Sequence, residues 1–131
     1  RYDHTKSRNH TGDLIRPGGT DYEWYSGQDS ITYLHPDDGG IPEPKKGWMH
    51  RASVTENYHA LDNKWNLCEI IVMGDQYAIH KLNGEVVNMA FKLSPAEGII
   101  GFQAETAEIY YRNIEIKEFE EIIPSEKFLG P

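Results

Sequence analysis

A few polar residues sit where chemistry can be done. Gln103 and Glu105 alternate with Ile100, Phe102 and Ala104, so they share the polar face of a strand whose other face is apolar. A glutamate on such a face can be a general base, a metal ligand or a hydrogen-bond acceptor for a sugar, and a solvated strand face has the same pattern. Arg112 lies inside the aromatic and β-branched run from Ile109-Tyr110-Tyr111 to Ile114, where a guanidinium needs a carboxylate partner or an open groove. His80 stands between Ile79 and Lys81 just before a turn and is either a ligand, a base or a packed residue with a satisfied ring. Asp3 and His4 are close enough to share a proton or a metal, or to form a solvated loop. The remaining signatures are negative. One cysteine cannot build a cysteine–histidine zinc site, and no Gly-x-Ser-x-Gly elbow, phosphate loop or dinucleotide fingerprint occurs. Asn9-His10-Thr11 fits the glycosylation tripeptide.

The elements that must hold these residues differ between the two halves. Residues 1–64 contain 17 of the 50 residues in the set AVILMFWYC but five of the six histidines and two of the three tryptophans. Arg16-Pro17-Gly18-Gly19, His35-Pro36-Asp37-Asp38-Gly39-Gly40 and Ile41-Pro42-Glu43-Pro44 interrupt long strands or helices. Residues 16–63 therefore read as a long loop-rich insertion, ordered rather than disordered because Tyr22, Trp24, Tyr25, Tyr33, Trp48 and Tyr58 populate it. The second half reads as antiparallel strands at 67–73, 76–82, 85–90, 99–105 and 108–119. A type I′ hairpin is predicted at Asn83-Gly84 and turns at Gly74-Asp75 and 93–98. Ile70, Val72, Ile100, Phe102, Ile114 and Ile116 are predicted to be buried, with Glu85 and Glu97 exposed; exposure of Ile100 and Phe102 would instead mark a missing sheet or a partner's interface. Helix is expected only near Pro124–Phe128. The pattern predicts one all-β domain over 1–131, a sandwich or barrel.

Composition narrows the function classes. The 131 residues carry a formal charge of −8, and no lysine–arginine stripe exists to follow a phosphate backbone, so nucleic acid is not an expected partner. No apolar run reaches the ~18 residues of a membrane span. Cys68, in an apolar run, is expected to fill space. Arg1 in place of an initiator methionine reads as a processed or internal start, which leaves the compartment unreadable from this end.

A spaced set in the second half goes further. It runs Trp65-Asn66, Ile70, Gly74-Asp75, Leu82-Asn83-Gly84, Gly98, Ile100-Gly101-Phe102-Gln103, Glu105 and Arg112-Asn113-Ile114-Glu115-Ile116. In order and spacing over about residues 64–119, it resembles the 3-keto-disaccharide hydrolase family, whose domains are concanavalin A-like jelly rolls. Arg1-Tyr2-Asp3-His4 and Gly12-Asp13-Leu14-Ile15 resemble the region after that family's Glu-x-Gln-x-x-Asp strand, with Asp13 and Ile15 replacing the usual small and aromatic residues. On this alignment the acidic strand precedes residue 1, the antiparallel β-sandwich is incomplete on its N-terminal side, and a partner chain or a missing N-terminal half completes it.

The resemblance implies a carbohydrate-active enzyme that cleaves 3-keto-glycosides by β-elimination or net hydrolysis, of periplasmic or extracellular location; the alternative is a non-catalytic lectin-like module. Its substrate would be an oligosaccharide or glycoside. A ketone at C3 acidifies the C2 proton, so the chemistry needs a base, an enolate-stabilising group and an acid, rather than the two carboxylates of ordinary glycosidases. Glu105, His4 and His80 are the candidates for base or metal ligand. Gln103 and Arg112 would bind the sugar or enolate oxygen, and Trp24, Tyr25 and Trp48 would stack on sugar rings or else pack the loop. A divalent metal acting on the ketone is a further expectation, with no ligand set apparent.

Overall fold

The computed structural model describes residues 11–43, 47–57, 64–104 and 108–130. Asp3, His4, Tyr58 and Glu105 lie outside these residues. The chain is all-β, with antiparallel sheets as a β-sandwich jelly roll requires. The strands are β1 (Leu14–Ile15), β2 (Asp21–Glu23), β3 (Tyr25–Ser26), β4 (Ile41–Pro42), β5 (Met49–His50), β6 (Cys68–Met73), β7 (Tyr77–Leu82) and β8 (Glu85–Ser94). The main sheet has the order β2-β8-β7-β6, and β1-β5 and β3-β4 form two small ladders. Short 3-10 turns occupy Pro36–Asp38 and Ser125–Lys127, the second within the stretch where helix was expected. Among the described residues no helix is long and apolar enough to cross a membrane.

Turn chemistry sets the registers. Asn83 and Gly84 both have positive φ, 49° and 88°, as a two-residue type I′ turn requires, and Leu82 faces Glu85 across it. Asn83 also fastens the entry to β6: its backbone N–H donates to the Leu67 carbonyl, and its side-chain oxygen accepts from the Leu67 N–H, each at 2.8 Å. Gly74, at φ 54°, turns β6 into β7. β8 runs to Ser94 rather than stopping near residue 90, because β2 supplies a second neighbour, pairing Glu23 with Phe91 and Asp21 with Ser94. A bulge separates the pairs His80–Asn88 and Lys81–Val86, leaving Val87 as the extra residue.

β7 and the middle of β8 are buried from both sides. Tyr22, Trp24, Tyr33, Met73, Tyr77, Ile79, Met89 and Ala90 form the main core. The C-terminal segment packs Ile123, Phe128 and Leu129 against it. Lys81 anchors that segment by donating from Nζ to the carbonyls of Phe128 (3.1 Å) and Gly130 (2.7 Å), and the Tyr77 hydroxyl donates to the Ile123 carbonyl. A second cluster joins Ala52, Leu82 and Val87. Described residues of the loop-rich first half are thereby packed onto the sheet.

Several expectations fail in the last third. Residues 99–104 and 108–119 form no strand. Ile100 is 75% exposed and Phe102 58%, and Ile114 and Ile116 are exposed as well. These two segments meet through side chains, with Phe102 and Tyr111 edge to face at 5.0 Å and the Tyr111 hydroxyl on the Gln103 carbonyl at 3.1 Å. Without a hydrogen-bonded ladder, alternation alone does not make a strand. Ile70 is 68% exposed and Val72 is also exposed, as is Cys68. β6 is the edge of the main sheet, and no described element covers these side chains there. Glu85 and Glu97 are exposed as expected.

Candidate functional site

The bulge on β8 puts His80 and Asn88 opposite one another, and paired residues of an antiparallel ladder point to the same face. The Gly12 carbonyl lies over that pair. It is 2.9 Å from His80 Nδ1 and accepts from Asn88 Nδ2 at 3.1 Å. A carbonyl can only accept, so Nδ1 of His80 bears the proton and Nε2 bears the lone pair. Burial pushes His80 below the usual histidine range, against the pull of the Gly12 carbonyl and the Asp13 charge. The ring is therefore neutral at pH 7, half-buried, with a basic nitrogen that no described residue hydrogen-bonds. This is the protonation state a general base needs.

Gly12 can approach this closely only because it lacks a side chain. Its φ is +94°, and a Cβ there would stand 2.7 Å from Val87 Cγ2. Asn88 is fully buried and uses its whole amide: besides the Gly12 carbonyl, Nδ2 donates to the His50 carbonyl at 3.0 Å, and Oδ1 accepts from Trp24 Nε1 at 2.8 Å.

Beside this pair runs a buried polar chain that links His50 of β5, and Arg16 and Glu43 just past β1 and β4, to Tyr22 on β2 of the main sheet. His50 Nε2 is 2.7 Å from Glu43 Oε1, and His50 Nδ1 is 2.6 Å from the Tyr22 hydroxyl. The carboxylate accepts, so Nε2 carries the proton here, and Nδ1 accepts from the Tyr22 hydroxyl. His50 thus holds the opposite tautomer to His80. Burial pushes the Tyr22 hydroxyl up to about 12, which keeps it a donor. Burial also lowers His50, although Glu43 pulls it up. Burial raises Glu43, but the Gly47 N–H, His50 and Arg16 together outweigh it and hold this carboxyl below its ordinary range. Arg16 closes the chain, with both terminal nitrogens 3.3 Å from Glu43 Oε2 and further bonds to the Gly47 carbonyl at 2.8 Å and the Tyr22 carbonyl at 2.7 Å. With His50 2% exposed, the group is a brace that fastens the loop layer onto the sheet.

The residues singled out from the sequence are dispersed. His80 is at the centre of the face just described. Trp24 is 4% exposed, tilted on His50 at 4.7 Å, and packs the core with its indole N–H on Asn88. Tyr25 is half-buried against Phe91 at 5.6 Å, whereas Trp48 is exposed and presents a free ring. Gln103 is exposed. Arg112 is exposed with its guanidinium 4.1 Å over the Trp65 ring. Among the described residues, no three His, Cys, Asp or Glu side chains gather as metal ligands. Gly12, Asn88, Arg16, Glu43 and His50 were not singled out, and Tyr22, an aromatic candidate for a pocket wall, is buried on His50 instead. Asn88 had a signal, being the one polar residue in the run Val86-Val87-Asn88-Met89-Ala90.

No curated protein and no solved structure matches the chain. The family described as the 3-keto-alpha-glucoside-1,2-lyase-like domain does match, over residues 2–117, which span the loop layer, the main sheet and the exposed segments alike. That extent shows that this chain belongs to the 3-keto-alpha-glucoside-1,2-lyase-like domain family, a membership that supports a carbohydrate-active role.

Proposed function

We propose that this domain cleaves 3-keto-glycosides by β-elimination, with His80 as the base. The supporting observation is the His80 ring: neutral, fixed as the Nδ1–H tautomer by the Gly12 carbonyl, and basic at Nε2. Nε2 takes the proton from C2, and the C2–H electron pair passes toward the C3 ketone as an enolate. Collapse of the enolate restores the C3 carbonyl, forms the C1–C2 double bond and breaks the C1–O bond. The leaving oxygen receives a proton from an acid, for which Glu105 and His4 are the proposed groups. Addition of water across the new double bond gives net hydrolysis. Arg112 and Gln103 are proposed to bind the sugar or enolate oxygen, and the exposed Trp48 ring to stack at the rim.

The test is incubation with a 3-keto-α-glucoside, with and without chelator, following the ultraviolet absorbance of the enone and release of the aglycone. Turnover that is lost in His80→Gln at near-wild-type melting temperature supports the reading. Binding of the sugar without turnover by the wild-type protein overturns it in favour of a lectin-like module.

A further inference from the structure

Asn88 does more than fill the core, because its amide shares an acceptor with the His80 ring. Nδ2 donates to the Gly12 carbonyl at 3.1 Å, and the same oxygen receives His80 Nδ1 at 2.9 Å. Gly12 is 76 residues away in sequence from Asn88, so no local structure sets that carbonyl's position. Asn88 in turn is held by Trp24 Nε1 at 2.8 Å and by the His50 carbonyl at 3.0 Å. The His50 ring is locked by Glu43 and Tyr22, so the contacts continue from the brace to the face.

We propose that Asn88 is a positioning residue: it aims the Gly12 carbonyl at His80 Nδ1 and thereby keeps Nε2 unprotonated and pointed at substrate, with Trp24 setting the Asn88 rotamer. This rests on the proposed role of His80 as base. The alternative tautomer would direct a ring lone pair at the carbonyl oxygen, and the carbonyl repels it only if it cannot turn away. Partners that orient a functional histidine are worth roughly 10–100-fold in activity when removed.

The experiment reads tautomer and turnover separately. Ring nitrogen shifts of histidine-labelled protein report which nitrogen of His80 is protonated, with His80→Gln identifying the signal. In wild type, Nδ1 is expected to be protonated and Nε2 bare. Asn88→Ala is expected to give a mixture of the two tautomers and to lower kcat roughly 10–100-fold with KM within about twofold. Trp24→Phe leaves both Asn88 donors in place and leaves Oδ1 only the Met89 N–H at 3.1 Å, so it is expected to move the same signals by a smaller amount. This variant decides the matter if Asn88→Ala does not fold. Unchanged His80 shifts in the variants that fold overturn the proposal, even where the melting temperature falls, since Asn88 then only packs. If wild type shows no turnover but the tautomer shifts in the variants, the positioning stands and the catalytic reading of His80 fails.

Discussion

His80 and Asn88 face each other across β7 and β8 and converge on a single acceptor, the Gly12 carbonyl, at 2.9 and 3.1 Å. A strand bulge, a side-chain-free backbone and a buried amide together fix one imidazole. Most consequences of the structure follow from how tightly that arrangement is held.

Gly12 tolerates no side chain. Gly12→Ala forces a Cβ against Val87 at 2.7 Å and places an L-residue at φ +94°. The backbone strain and the overpacking together are expected to cost about 2–4 kcal/mol. Chemical denaturation of the variant checks this; a loss below 1 kcal/mol would mean that the loop bearing Gly12 yields freely.

With His80 as the proposed base, the acid limb of the pH–rate profile would follow from its ring. Burial holds its pKa below the ordinary histidine value, so the basic form persists as pH falls through 6.5, the ordinary histidine value. Activity on a 3-keto-α-glucoside is expected to stay level from pH 8 to below 6.5 and to decline only further down. A profile with its acid inflection above 6.5 would show that His80 gains stabilisation of its charged form and is not the neutral base.

Acid stability is set by two further groups as well. His50 and His80 both have folded pKa values below their unfolded one, so their contribution is complete above about pH 6.5 and is lost as pH falls through the folded values. Glu43 also has a depressed folded pKa, so its contribution is complete above about pH 4.3 and is lost below that. The melting temperature is therefore expected to drop in two stages on acidification. Glu43→Ala leaves Arg16 and His50 without their shared carboxylate, and is expected to cost about 3–5 kcal/mol at neutral pH and to shrink the lower stage to the part that Asp29, also held low by its hydrogen bonds, contributes. Thermal melts at half-unit pH steps on both proteins decide this.

The exposed apolar side chains make a separate prediction. Val72 and Ile100 make few demands on the folded chain, so Val72→Lys and Ile100→Lys are expected to change its stability by less than about 0.5 kcal/mol. The same substitutions are expected to reduce binding of a hydrophobic dye, because exposed apolar patches of this kind are what such dyes report. A large loss of stability in either variant would show that those side chains are covered in solution.

The sequence alone determined what nearest neighbours control. Asn83-Gly84 specifies its hairpin because only residues that accept positive φ fit the turn, and the β6–β7 register and the β7–β8 pairs next to the turn follow from it, from the Gly74 turn and from the apolar runs, whereas the bulge at Val87 resets the remaining β7–β8 pairs. The family motifs over 64–119 were readable for the same reason, being spaced along one chain. His80 was nominated by the sequence, but tertiary structure alone decided its surroundings. Gly12 reaches His80 across 68 positions and Trp24 reaches Asn88 across 64, contacts that no periodicity encodes. It also decided the fate of the alternating segments. Alternation at Ile100 and Phe102 states that one face is apolar, but a strand and a buried face exist only where another chain segment supplies the hydrogen bonds and the cover, and the described residues supply neither.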